Sequence, residues 1–202
     1  MKAGGNLLKV AFLNGAWKAY RGMEPIRPCE LMIGPNSIDV TLHDTLQIPD
    51  SNITLDLKDP DTCHYGEYQM ASDGFTLFPH AFFLGDLNER FDSVAPLSII
   101  YTEQRRGNYR DVFFTQEVHG RSTLGRCGLC IHATAGYGDY GFKGAFTLEI
   151  FNVTNRPIII YPDIKVAKIE FNAVEQPFLY TGGYNDSMHY YRPVAPELKG
   201  RF

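Results

Sequence analysis

The stretch Gly120–Asn152, GRSTLGRCGLCIHATAGYGDYGFKGAFTLEIFN, decides how this chain is read. Near its end, FTLEIF alternates. Phe146, Leu148 and Ile150 fall on one face and Thr147, Glu149 and Phe151 on the other, the period-two pattern of a β-strand with one buried side. Before it, AGYGDYGFKG interrupts the apolar pattern with glycines, as a turn-rich connection does. The opening GRST joins a glycine, the forked guanidinium of Arg121 and the hydroxyls of Ser122 and Thr123. These are donors that suit phosphate oxygens. Taken alone, four such residues describe a capped polar turn equally well.

Working outward, SIDVTL (37–42), TLFPHAFFLG (76–85), SIIYT (98–102), DVFFTQEVHG (111–120), GLCIHAT (128–134), GAFTLEIFNV (144–153), PIIIYP (157–162) and KVAKIEFN (165–172) are rich in β-branched and aromatic residues. Gly, Pro, Asn and Asp separate them. Many short strands at this spacing predict an all-β sandwich or jelly-roll rather than an α/β fold. One helix is predicted over 7–20, with Leu7, Val10, Ala11 and Trp17 on one face, and a second short one near Pro96–Leu97. The polar segment 49–73 reads as a long hairpin or surface excursion. The stretch from Gly182, GGYNDSMHYYRPVAPELKGRF, reads either as a frayed tail or as an arm that orders against something.

The chain has 202 residues, 44% of them hydrophobic, enough for one sizeable core. Its formal net charge of −4 argues against a broad nucleic-acid surface, so any phosphate must be held by a few local cations. No segment approaches the length of a membrane span, and residues 1–20 lack a long apolar region followed by a cleavage site. The expected location is cytoplasmic. Cys127 and Cys130 form a CxxC, but no second CxxC accompanies it, and no HxE motif precedes a PCxxC. In an apolar run, CGLCIHA, they read as core cysteines.

Several blocks together resemble one family. GRSTLGRCGL is similar to a GRSSLGR or GRSSLAR block; Asp139 follows Arg126 by thirteen residues and Glu149 follows Asp139 by ten. TAG (134–136), GFKG (141–144) and TLEIFN (147–152) surround those acids in the same pattern. Upstream, GPNSIDVTLHD (34–44) and GFTLFPHAFFLGDLNER (74–90) match an early strand and a strand pair. The chain resembles the dCTP deaminases, the deaminating branch of the trimeric dUTPase superfamily, from about residue 33 to 172, with features near the bifunctional deaminase–dUTPase branch.

That resemblance implies a distorted jelly-roll (dUTPase-like β-clip) subunit with one or two short helices, spanning 1–172 and followed by an arm, 173–202, and assembled as a homotrimer with shared sites. It implies hydrolytic, zinc-independent deamination of a deoxycytidine nucleotide, with dCTP giving dUTP and ammonia, or, in a bifunctional enzyme, dUMP. A plain dUTPase is the third reading, disfavoured by Glu149, and from a different class a catalytically silent nucleotide sensor on the same fold stays open. Glu149 corresponds to the catalytic glutamate that activates water for attack at C4, a position that is apolar in plain dUTPases. Arg126 and Ser122, from a neighbouring subunit, would orient the water and stabilise charge. Arg121 and Thr123 would hold phosphates, Asp139 the 3′-hydroxyl, and the backbone of Ala135, Gly136 and Tyr137 the base. Mg²⁺ would enter bound to the phosphates, and dTTP is a candidate inhibitor. In the arm or lid, whose family counterpart closes over the triphosphate, Tyr180 and Tyr184 match substrate-binding positions, whereas Gly183 stands where the family has a lysine and Ser187 near its glutamine. Gly138, ahead of Asp139, replaces a branched residue and should loosen that loop.

Overall fold

The protein is described by a computed structural model that covers residues 3–93, 95–101, 108–134, 136–175 and 177–181, with 98–101 and 108–110 known by backbone pairing alone. Helix α1 (Gly5–Leu13) leads into β1 (Trp17–Arg21), β2 (Glu24–Pro25), β3 (Met32–Ile33) and the long β4 (Ile38–Pro49). Then come β5 (Tyr65–Gln69), β6 (Phe75–Leu77), β7 (Phe82–Leu87), β8 (Glu89–Ser93), β9 (Leu97–Tyr101) and β10 (Asn108–Gly120). A five-residue helix, α2 (Ser122–Arg126), precedes β11 (Leu129–Cys130), β12 (Tyr137–Gly138), β13 (Thr147–Asn152), β14 (Ile158–Ile160) and β15 (Lys165–Val174).

Strand β4 organises the molecule. Its first half pairs with β15, Val40 opposite Ala167; its second half pairs with β7 and β5, Gln47 opposite Leu84 and Glu67. The register with β7 shifts between Leu42 and Leu46, and that with β15 between Lys165 and Ala167. Such irregularities bend a strand and increase its twist, and here they curl the main antiparallel sheet. Its path runs β11–β13–β7–β4–β15–β10–β12. The fold is therefore mostly β, as expected. Segment 49–73 returns as β5 to pair with β4, the hairpin reading of that stretch.

Ile38, Val40 and Leu42 of β4, Leu148 and Ile150 of β13, and Ile169 and Phe171 of β15 line the core. Trp17 lies at its centre, stacked on Phe171 at 4.9 Å and edge-on to Phe91 at 5.8 Å. Leu8 and Ala11 of α1 also reach this cluster.

Local expectations fail where side chains compete with the backbone or where a turn outweighs propensity. The predicted helix over 7–20 stops at Leu13, because Gly15 turns the chain into the left-handed region at φ +73° and Ala16 N donates back to the carbonyl of Ala11, while Asn14 Nδ2 donates to the carbonyl of Val10. Trp17 already belongs to a strand. Leu97 opens β9, not a helix. GLCIHAT forms ladder pairs only at Leu129 and Cys130. The cysteines are not core residues: Cys29, Cys127 and Cys130 are exposed and Cys63 half-buried. Cys127 and Cys130 flank a tight turn at the end of α2, so apolar company in sequence did not translate into burial.

Candidate active site

Glu149 sits mid-strand in β13, opposite Leu84 of β7. Phe146, Leu148, Ile150 and Asn152 are buried while Thr147, Glu149 and Phe151 are half-buried, so the alternation read from FTLEIF places this carboxylate on the wetter face. Two backbone amides fix it: the N–H groups of Ala133 and Thr134 donate to Oε2 at 2.7 and 3.1 Å. Charge-assisted bonds from successive amides orient a carboxylate firmly, and they leave Oε1 to a water or a substrate. Ala133 and Thr134, which run into the TAG block of the sequence, thus hold the glutamate through their backbone. Sequence reasoning did not find that role, since backbone donors leave no side-chain signature.

Arg121, Ser122 and Thr123 border a second feature. With Asp39, Gly120 and Lys168 they line an open cleft of ≈ 290 Å³. Arg121 precedes α2, and its Nη1 lies 2.5 Å from Oδ1 of Asp39 on β4. Ser122 and Thr123 begin the helix with their hydroxyls exposed. Lys165 reaches Asp39 at 3.8 Å, and Lys168 pairs with Glu170 at 3.1 Å. Arg121, Lys168 and the hydroxyl residues Ser122 and Thr123 thus share the cleft with Asp39, a donor set for an anion with several oxygens. Asp39 and Lys168 were not singled out in the sequence. The only hint was that Asp39 falls inside GPNSIDVTLHD.

Arg126 ends α2, exposed, where a cation complements the helix dipole. Among the described residues no hydrogen bond or ion pair links Glu149 to Ser122 or Arg126.

Strand β12 pairs with β10, Tyr137 opposite Glu117 and Gly138 opposite Gln116. The carbonyl of Gly136 accepts from Val118 N at 2.7 Å, and the Tyr137 hydroxyl donates to Thr115 Oγ1 at 2.9 Å. Asp139 follows, exposed, at the head of a turn closed by Phe142 N donating to its carbonyl at 3.0 Å. Tyr180 rests on this turn, its N–H donating to Tyr140 O at 2.9 Å. Ala135 and Tyr184 lie outside the described residues.

Comparison with known proteins bears directly on this arrangement. A family model described as dCTP deaminase-like matches residues 112–174, the span from β10 to the end of β15. The chain is 39% identical over 158 residues to a "dCTP deaminase, dUMP-forming" of Coprothermobacter proteolyticus, covering 76% of this chain and 75% of that protein. It is 35% identical over 155 residues to the protein of the same description from Clostridium beijerinckii, covering 76% of each. The chain belongs to the dCTP deaminase family. This is a family of enzymes. The crystal structure of 2′-deoxycytidine 5′-triphosphate deaminase from Agrobacterium tumefaciens superposes with a TM-score of 0.55 at 15% identity, over 86% of this chain and 47% of that one. At that identity the match speaks for the shared fold. The deaminase fold thus extends well beyond residues 112–174. Among the described residues, no helix of this family member is long and apolar enough to cross a membrane.

Proposed function

We propose that this protein deaminates dCTP by hydrolysis and carries the nucleotide on to dUMP. The observation that carries the first half is Glu149, placed on the wetter face of β13 and fixed through Oε2 by Ala133 and Thr134. A carboxylate so held can take a proton from water as the water oxygen attacks C4 of the cytosine. The new C4–O bond forms as the first proton passes to N3 of the ring, where it stays; the proton of the resulting C4 hydroxyl then passes to the amine, the C4–N4 bond breaks to release ammonia, and C4=O forms. General base work of this kind contributes about 10²–10⁴-fold in rate.

The second half rests on the descriptions of the relatives, dUMP-forming in both cases. Water attack at the α-phosphorus of the intermediate dUTP would break the α–β bond and release pyrophosphate, with Asp139 positioning that water and contacting the 3′-hydroxyl. Arg121 and Thr123 would hold the phosphates in the cleft they line. Mg²⁺ would arrive with those phosphates, since hydroxyls and a guanidinium suit phosphate oxygens rather than a metal ion. Arg126 and Ser122, exposed on α2 and without a bond to their own Glu149, suit donation to the site of a neighbouring copy in a homotrimer.

Release of dUTP as the final product is the second reading. It is favoured by Gly183, which stands where the family's arm carries a lysine, because a missing point charge weakens the hold on a triphosphate. Incubation with dCTP and Mg²⁺, followed by separation of dUTP, dUMP and pyrophosphate, decides. Matched dUMP and pyrophosphate support the proposal, accumulating dUTP supports the second reading, and binding without turnover overturns both in favour of a nucleotide sensor.

A further inference from the structure

Residues 177–181, beyond β15, return to the turn that carries Asp139. Three contacts make this return. The N–H of Tyr180 donates to the carbonyl of Tyr140 at 2.9 Å. The Tyr180 ring meets Phe142 edge-on at 6.1 Å between centroids. Leu179 fills the space beside Gly141, where an added Cβ would overlap Leu179 Cδ1, although the outer part of Leu179 stays exposed. Gly141 adopts φ +89°, a conformation a side chain would strain, so the notch that receives Leu179 depends on glycine.

The turn is also held from below. Tyr140 packs edge-on against Phe113 of β10 at 4.8 Å, and Phe142 tilts against Phe146 at 5.4 Å. Asp139 itself is exposed. Of the two sides of its turn, one is anchored in the sheet through Phe113 and Phe146, and the other is anchored by Leu179 and Tyr180.

We propose that Leu179 and Tyr180 are positioning residues for Asp139, strapping its turn so that recognition of the deoxyribose depends on the chain that follows β15. The inference rests on the reading of Asp139 as the contact to the 3′-hydroxyl. It goes beyond that reading by assigning sugar recognition to two residues that touch the turn and not the nucleotide. Tyr180 then serves through its backbone N–H and its ring against Phe142, in addition to any contact with substrate.

Two measurements on the full-length protein test it. The first compares KM for dCTP with KM for 2′,3′-dideoxycytidine triphosphate. A hydrogen bond to a charged group implies that the parent discriminates by about tenfold or more. The double variant Leu179→Ala/Tyr180→Pro, which removes the side chain in the notch and the N–H donor, should lose most of that discrimination with kcat for dCTP changed much less. Asp139→Asn should lose it equally, and Tyr180→Phe, which keeps both the N–H and a ring against Phe142, should retain it. The second measurement is amide hydrogen exchange in the turn, which needs no substrate. Faster exchange at Phe142 in the double variant is expected. Unchanged exchange at Phe142, or full retention of discrimination beside its loss in Asp139→Asn, overturns the strap. Discrimination that survives in Asp139→Asn overturns the underlying assignment of Asp139 instead, while the exchange result still judges the strap.

Discussion

Gly138 lies directly beneath Phe146: a Cβ added at Gly138 would stand 2.8 Å from Cζ of that ring and 3.3 Å from Phe142. The glycine is buried, belongs to β12 and pairs with Gln116. It serves close packing, and it does not loosen the Asp139 loop as its replacement of a branched residue suggested. Overpacking a filled site costs about 1–3 kcal/mol. Gly138→Val is therefore expected to lower stability by about 2 kcal/mol in urea unfolding and to impair activity by displacing Asp139.

Glu89 is the buried anchor between β8, β4 and β1. It is 3% exposed, accepts from Thr41 N at 2.7 Å and Thr41 Oγ1 at 3.0 Å, and meets Arg21 Nη2 at 2.5 Å. Glu89→Ala leaves a buried amide without its acceptor, and bonds to a charged acceptor are individually strong. The expected loss is about 3 kcal/mol in the unfolding free energy, with a smaller loss for Glu89→Gln.

How much of this was legible follows from which forces act locally. The alternation of FTLEIF placed Glu149 correctly, because a strand's two-residue period is written in its own side chains. The class of fold came from the same source. GRSTLGR, by contrast, forms a helical turn at its core, and a five-residue helix is too short to leave a periodic signature. The exposure of Cys127 and Cys130 depends on a turn geometry that their apolar neighbours do not encode. Asp39 and Lys168 come to the cleft only through the pairing of β4 with β15, which sets Asp39 opposite Lys168. Long-range register of that kind is invisible in a local reading, as is the return of Tyr180 to Tyr140.

Asp86 gives the fold a pH dependence. It is 1% exposed, and its one described hydrogen bond is from Leu87 N; burial pushes its carboxyl well above the ordinary value of 3.8. Between that ordinary value and the raised one, the folded chain keeps a proton that the unfolded chain releases. Stability is then full below the ordinary value and is lost as pH rises toward the raised one. Asp86→Asn, which cannot ionise, should flatten this decline in melting temperatures measured as pH is raised from the ordinary value of 3.8.

Arg121 meets Asp39 through Nη1 alone, and the remaining donors of its planar fork suit phosphate oxygens in a way a lysine cannot reproduce. Arg121→Lys is expected to raise KM for dCTP by about tenfold, the scale of one weakened charge-assisted contact, with a smaller effect on binding of deoxycytidine lacking phosphates. Isothermal titration with both ligands checks the difference.

The central claim is that Glu149, fixed by Ala133 and Thr134, activates the water that attacks C4. Ammonia release from dCTP by the parent and by Glu149→Gln tests it most directly, with nucleotide binding measured on the same samples. The account predicts that the glutamine variant binds dCTP with little change and releases ammonia at least about 10²-fold more slowly. Release at the parental rate by Glu149→Gln would contradict it.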